Sequence, residues 1–158
     1  MATRRDELLF LDTNILLAAT DTSRDSHEPA LALLDAAGGR GPRCAVSGQV
    51  IREYLAVATR PVSANGLGMK IGDALANVAQ METRLEFCEE TPAVCTLLQH
   101  LAQAHQVAGN ALHDANIVAT MAVHHVECLV TENPADFEAY EGISLLRLEQ
   151  ARHLIADG

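Results

Sequence analysis

The sequence has no tryptophan, and its aromatic side chains are only three Phe and two Tyr. A core must therefore come from Leu, Val, Ile and Ala, and aromatic platforms on which nucleic-acid bases stack are missing. Positive charge is equally short. The chain carries 11 Lys+Arg against 21 Asp+Glu, a formal net charge of -10, and Lys70 is the only lysine. Affinity for phosphate usually comes from Lys and Arg, so a generally basic nucleic-acid surface is excluded; a polyanion held here needs positive charge from elsewhere. No apolar run approaches the roughly 18 residues of a membrane span. The four cysteines, Cys44, Cys88, Cys95 and Cys128, form neither a CxxC pair nor a metal-ligand spacing. Each sits in apolar sequence, which predicts buried reduced thiols rather than a disulfide or zinc site. The first residues imitate a secretion signal, with Arg4 and Arg5 ahead of Leu8-Leu9-Phe10-Leu11 and small residues at Ala18-Ala19-Thr20, but Asp12 and Asn14 interrupt it. The expectation is a soluble, cytoplasmic protein with no membrane partner.

What is present is 49% hydrophobic sequence over 158 residues, which suits one compact domain spanning residues 1–158. Apolar runs of strand length occur at Leu8 to Leu11, Cys44 to Val46, Leu85 to Cys88, Val126 to Val130 and Ile143 to Leu148. Helical patterns lie between most of them, near Glu28 to Ala37, Gly48 to Thr59, Lys70 to Thr83, Pro92 to Val107 and Leu112 to His125. The alternation predicts an α/β fold. Thr91-Pro92 has the form of an N-cap followed by proline at the first helical position.

Four acids stand in unusual surroundings. Asp12 follows four apolar residues and precedes Thr13, Asn14 and the apolar Ile15-Leu16-Leu17, at the seam of a buried strand and a helix start. That position suits a ligand or metal at a strand's carboxyl end, or a carboxylate capping the next helix. Glu53 has Gln49, Val50, Ala56 and Val57 as its helical neighbours, so it points toward protein or a cleft, unless an arginine pairs with it. Asp114 has Ala111, Ile117 and Val118 around it in the same way. Asp136 lies in the polar turn Thr131-Glu132-Asn133-Pro134-Ala135-Asp136, which follows the strand ending at Val130 and reads alone as an ordinary Asx or capping turn. If the four converge, carboxylates ~4 Å apart repel by about 4 kcal/mol per pair at an effective dielectric near 20. Such a site calls for protons or cations, and oxygen ligands select hard ions such as Mg²⁺ or Mn²⁺, which also bridge to phosphate.

Taken in order, Leu11-Asp12-Thr13-Asn14-Ile15-Leu16, Ser47 to Glu53 leading to Thr59-Arg60-Pro61, His113-Asp114-Ala115, and Val130-Thr131-Glu132-Asn133-Pro134-Ala135-Asp136-Phe137 resemble the motifs of PIN-domain ribonucleases, above all VapC-type toxins of bacterial toxin–antitoxin pairs. The resemblance covers a motif-bearing core of about residues 8–148. It implies a PIN-like α/β/α sandwich around a central parallel sheet, an acidic Mg²⁺ site in which Mn²⁺ substitutes, and endonucleolytic cleavage of RNA. By position, Asp12, Glu53 and Asp114 match the family's best-defined acids. Thr13 or Asn14 supports Asp12, and Thr131 and Asn133 line the last motif. Many members carry an acid where this chain has Asn133, so either Asn133 serves as a neutral ligand or organiser or Asp136 supplies the charge, and Asp136 is taken as the fourth. The resemblance also implies a cognate antitoxin, often with basic residues reaching the acidic site, and a homodimer.

The expected mechanism is hydrolysis by metal-activated water, leaving 5′-phosphate and 3′-hydroxyl ends. Arg52, Arg60 and Lys70 are candidate phosphate contacts. Three rivals remain open. The first is a metal-independent ribonuclease using two of His27, His100, His105, His113, His124, His125 and His153. The second, a phosphatase of the haloacid dehalogenase type, lacks its second acid, since Asn14 stands there. The third is a noncatalytic module whose acidic pocket grips a basic partner.

Overall fold

The structure, a computed structural model, describes residues 7–156; Arg4 and Arg5 of the signal-like stretch lie outside them. Five strands, β1 (Leu8–Leu11), β2 (Arg43–Ser47), β3 (Glu86–Cys88), β4 (Cys128–Val130) and β5 (Ser144–Leu146), form one sheet. Its order is β3-β2-β1-β4-β5, and every pair is parallel. Seven α-helices accompany it among the described residues: α1 (Thr13–Thr20), α2 (His27–Ala36), α3 (Gly48–Thr59), α4 (Ile71–Glu82), α5 (Pro92–His105), α6 (Ala111–Val123) and α7 (Leu148–Ala156).

Parallel strands covered on both faces read as unbroken apolar runs. In β1, Leu9, Phe10 and Leu11 are 0% exposed, and β4 is buried throughout. The edge strand β3 instead exposes Glu86 and Phe87. Right-handed crossovers from β1 through β2 to β3 run one way along the sheet, and the return from β3 to β4 runs the other, so the helices fall on opposite faces. The packing agrees: α1 lies against α2 and α3, α2 against α7 and α3 against α4, whereas α5 packs on α6. This is the α/β/α sandwich expected. Beneath α1, the buried Tyr54 hydroxyl meets Thr20 Oγ1 at 3.0 Å and accepts from Asn77 Nδ2 at 3.1 Å, tying α1, α3 and α4 together.

The helix start read after Asp12 opens a full helix, α1, which buries Ile15, Leu16, Leu17, Ala18 and Ala19. Two features differ from the sequence reading. The strand expected to reach Leu148 stops at Leu146, and Leu148 and Ala151 instead anchor α7. Cys95 is exposed, not buried as its apolar neighbours suggested, because α5 lies on the outside and buries only Val94; Cys44, Cys88 and Cys128 are buried, and none of the four forms a disulfide. The Thr91 cap is a backbone one: its hydroxyl is buried with no hydrogen-bond partner. No described helix is long and apolar enough to cross a membrane.

Candidate active site

Strand order reverses between β1 and β4, and in open parallel sheets the crevice for ligands forms at the carboxyl ends beside that reversal. Asp12 follows β1 and Thr131 follows β4, so the two flank it. Backbone bonds from Asp12 N to the Val130 carbonyl (3.0 Å) and from Thr131 N to the Leu146 carbonyl (3.0 Å) hold the three strand ends level.

Asp12, 9% exposed, is both helix cap and acid. Its Oδ1 accepts from Thr13 N at 2.7 Å, while Oδ2 accepts from Thr131 Oγ1 at 2.7 Å and from Asn14 Nδ2 at 3.2 Å. Burial nevertheless pushes its carboxyl above the usual range, assisted by the charges of Glu53 and Asp136, with the bonds from Thr131 and Thr13 pulling the other way. Asn14 also reaches the last motif, its Oδ1 accepting from Glu132 N at 3.3 Å. The Asn133 backbone N donates to Thr131 Oγ1 at 3.0 Å, so this hydroxyl organises the turn as well as Asp12.

Glu53 projects from α3. Its Oε2 accepts from Thr13 Oγ1 at 2.8 Å, and its Oε1 accepts from Gln49 Nε2 at 2.9 Å. The only basic side chain within ion-pair reach of it among the described residues is the exposed His113 ring, 3.9 Å away, so no arginine explains its inward setting. Asp114, at the start of α6 on the other face of the sheet, receives no hydrogen bond and no ion pair among the described residues. Its carboxyl is pushed up to about 6, first by burial, then by the negative charges of Asp12, Asp136 and Glu53, with only His113 opposing. Asp136 is exposed in the turn after β4, yet its charge raises both Asp12 and Asp114. The four acids are thus within one another's field. Two are fixed by donors, and two hold no partner.

The donor set suits a hard divalent cation. The oxygens are carboxylates, no Lys or Arg among the described residues offsets them, and their mutual repulsion is what such an ion relieves. As the side chains stand, no three His, Cys, Asp or Glu among the described residues lie close enough to grip one ion together. Arg52, Arg60 and Lys70 are exposed and make no ion pair among the described residues. His124 and His125 line a cleft with Leu8 and Arg43 at the amino ends of β1 and β2, the opposite edge of the sheet from Asp12.

Three polar residues of this neighbourhood carry no role in the sequence reading. Gln49 bonds Glu53, Asn116 Nδ2 bonds Gln49 Oε1 at 2.6 Å and Glu90 Oε1 at 2.8 Å, and Glu90 Oε2 accepts from Gln49 N at 2.8 Å. Glu90 thereby caps α3, which the Ser47 side chain does not. Gln49 has a local signal, being the polar neighbour on Glu53's face. Glu90 has none.

Among solved structures, the chain is similar to VapBC2 from Rickettsia felis bound to a DNA fragment from their promoter, with a TM-score of 0.66 and 20% identity, over 89% of this chain and 98% of that one. It is similar to DNA-bound VapBC from Salmonella typhimurium, with a TM-score of 0.63 and 18% identity, over 90% and 98%. A third similar structure is Mycobacterium tuberculosis VapC20, a Sarcin-Ricin loop cleaving toxin, with a TM-score of 0.58 and 17% identity, over 77% and 86%. At these identities the likeness is one of fold. No curated protein matches the chain. The PIN domain family, however, matches residues 9–143, a span that holds β2, β3, β4, all of β1 but Leu8, and all four acids, and ends just before β5. With that match, the chain belongs to the PIN domain family.

Proposed function

We propose that this chain is a one-domain, cytoplasmic endoribonuclease that depends on a divalent ion, Mg²⁺ with Mn²⁺ able to substitute, and acts as the toxin of a toxin–antitoxin pair. The observation that carries the reading is the group of four mutually repelling carboxylates, uncompensated by any Lys or Arg among the described residues, at the carboxyl edge where strand order reverses. The fold likeness to VapC20, a toxin that cleaves the Sarcin-Ricin loop, supports RNA as substrate.

Asp12, Glu53, Asp114 and Asp136 are the residues proposed to hold the ion. When bound, a divalent cation lowers the pKa of its water, polarises the phosphate and neutralises the leaving oxygen. The chain's own part is preparation. Thr13, Asn14 and Thr131 fix the Asp12 carboxylate with three donors and leave Oδ1 lone-pair capacity. Thr13 and Gln49 fix one side of each Glu53 oxygen. Asp114 and Asp136, free of hydrogen bonds, adjust to the ion and the RNA.

The VapBC complexes among its fold neighbours support an antitoxin as partner, and the net charge of -10 suits a basic segment of it. A cleft of about 320 Å³ between α2 and α4, where Leu31, Leu34 and Met81 stand beside Asp35, Gln80 and Arg84, and the exposed Ile71 and Leu75 offer surface for that partner or for a second copy. The test is cleavage of total cellular RNA by the purified protein with Mg²⁺ or Mn²⁺, beside EDTA and an Asp114→Asn variant. Cleavage lost in both controls supports the reading. Cleavage surviving both refutes the acidic-site mechanism and revives the histidine route.

A further inference from the structure

The structure gives the Gln49 amide one orientation. Gln49, 1% exposed, donates through Nε2 to Glu53 Oε1 at 2.9 Å and to the His113 backbone carbonyl at 2.9 Å. Both amide hydrogens are used, and a carboxylate and a carbonyl only accept, so a flipped amide would set oxygen against oxygen. On its other side Gln49 Oε1 accepts from Asn116 Nδ2 at 2.6 Å. Asn116 is fixed in turn, because its second hydrogen goes to Glu90 Oε1 at 2.8 Å, and Glu90 Oε2 returns to the Gln49 backbone N at 2.8 Å. The result is a closed polar ring, Gln49 to Asn116 to Glu90 and back, from which the Gln49 amide reaches out to Glu53 and to the His113 carbonyl. The ring spans the ends of β3, α3 and α6. Through the His113 carbonyl it joins the helix that bears Glu53 to the one that bears Asp114.

We infer that Gln49, oriented by Asn116 and Glu90, is a positioning residue for Glu53: it holds the carboxylate at a fixed distance from α6, so that an arriving divalent ion meets an oriented ligand. The inference rests on the reading that Glu53 is one of the ion-holding acids. Partners that orient a metal's ligands commonly affect affinity by ten- to a hundredfold. A residue that merely filled space would affect melting and leave the ion's affinity alone.

The experiment is calorimetric titration of the metal-free protein with Mn²⁺, alongside thermal melting without ion and RNA cleavage against Mn²⁺ concentration. Gln49→Met keeps length and shape while removing the donor; Asn116→Ala touches no candidate ligand. Gln49→Met is expected to weaken Mn²⁺ binding about tenfold, and Asn116→Ala by less. The double variant is expected to bind no more weakly than Gln49→Met alone, because Asn116 acts only through Gln49. Saturating Mn²⁺ should return cleavage by both single variants toward the wild-type rate. Unchanged Mn²⁺ affinity in Gln49→Met, or losses that add in the double variant, would overturn the inference. Should Gln49→Met fail to fold, Asn116→Ala and Glu90→Ala carry the test, and unchanged affinity in both rejects it. If the wild-type chain binds no Mn²⁺, the reading of the acidic site fails and takes this inference with it; Mn²⁺ binding equal in wild type and variants defeats this inference alone.

Discussion

Asp114→Asn examines the charge at the site without RNA and without an ion. The folded chain holds the Asp114 carboxyl up to about 6, against 3.8 for an aspartate that nothing perturbs. Between those two pH values the folded protein keeps a proton that the unfolded chain has released, so stability falls as pH rises from about 4 to about 6 and stays low above that. At 1.36 kcal/mol per pH unit the gap corresponds to about 3 kcal/mol. The carboxyl is half exposed to water, and screening reduces that figure to about 1–2 kcal/mol. In EDTA at pH 7.5, therefore, Asp114→Asn should be the more stable protein, with a melting temperature higher by roughly 2–8 °C for a chain of this size. The advantage should shrink below pH 6 and vanish near pH 4, where the wild-type carboxyl is itself neutral. Excess Mn²⁺ should reverse the order, because an ion at a hundredfold excess over its Kd stabilises the protein that binds it by about 2.7 kcal/mol. Calorimetric melting from pH 4 to 8, with and without Mn²⁺, measures all of this. Equal melting of the two proteins across the range, or a less stable variant at pH 7.5, would refute the claim that the charge of Asp114 goes uncompensated.

Thr131→Val removes the 2.7 Å donor to Asp12 Oδ2 at a buried position and should lower stability by about 1–3 kcal/mol in urea unfolding; an unchanged midpoint would show that Asn14 and Thr13 suffice. A thiol reagent applied to the native protein should modify Cys95 quickly and spare the other three, with Cys44 protected by burial that pushes its thiol up to about 12; Cys95→Ser should abolish the fast phase. A second fast thiol would contradict the burial described. RNA products should carry 5′-phosphate and 3′-hydroxyl ends, and 2′,3′-cyclic phosphates would exclude attack by water.

The sheet was legible because its central strands are buried on both faces and so print as apolar runs, which Leu8 to Leu11 shows most plainly. Glu53 and Asp114 stood out for a related reason, each being an acid among apolar helical neighbours. The convergence of all four acids could then be argued from strand ends and helix faces. Partners across the sequence were not legible. The Thr13 hydroxyl bonds Glu53, 40 residues away, and Glu90 meets Gln49 at a separation of 41 and Asn116 at 26; nothing local to these residues encodes the pairing. The exposure of Cys95 went unread for a related reason. Apolar neighbours in sequence lie around a helix, and only packing decides which side faces out.

The sheet's layout also sets an order in time. β1 is made before the other strands, yet it is central, paired on one side to β2 and on the other to β4, with Leu9 opposite Cys128. The hydroxyl that fixes Asp12 belongs to a residue 119 positions further on. At translation rates of roughly 5–20 residues per second, a nascent chain spends several seconds with Asp12 made and Thr131 not yet polymerised. During that interval Asp12 lacks its β4 neighbour; Asp114 is added only near its end and Asp136 after it. The charged centre is therefore complete only late in synthesis, and a chain cut short before residue 131 lacks both the hydroxyl that fixes Asp12 and the Asp136 carboxylate.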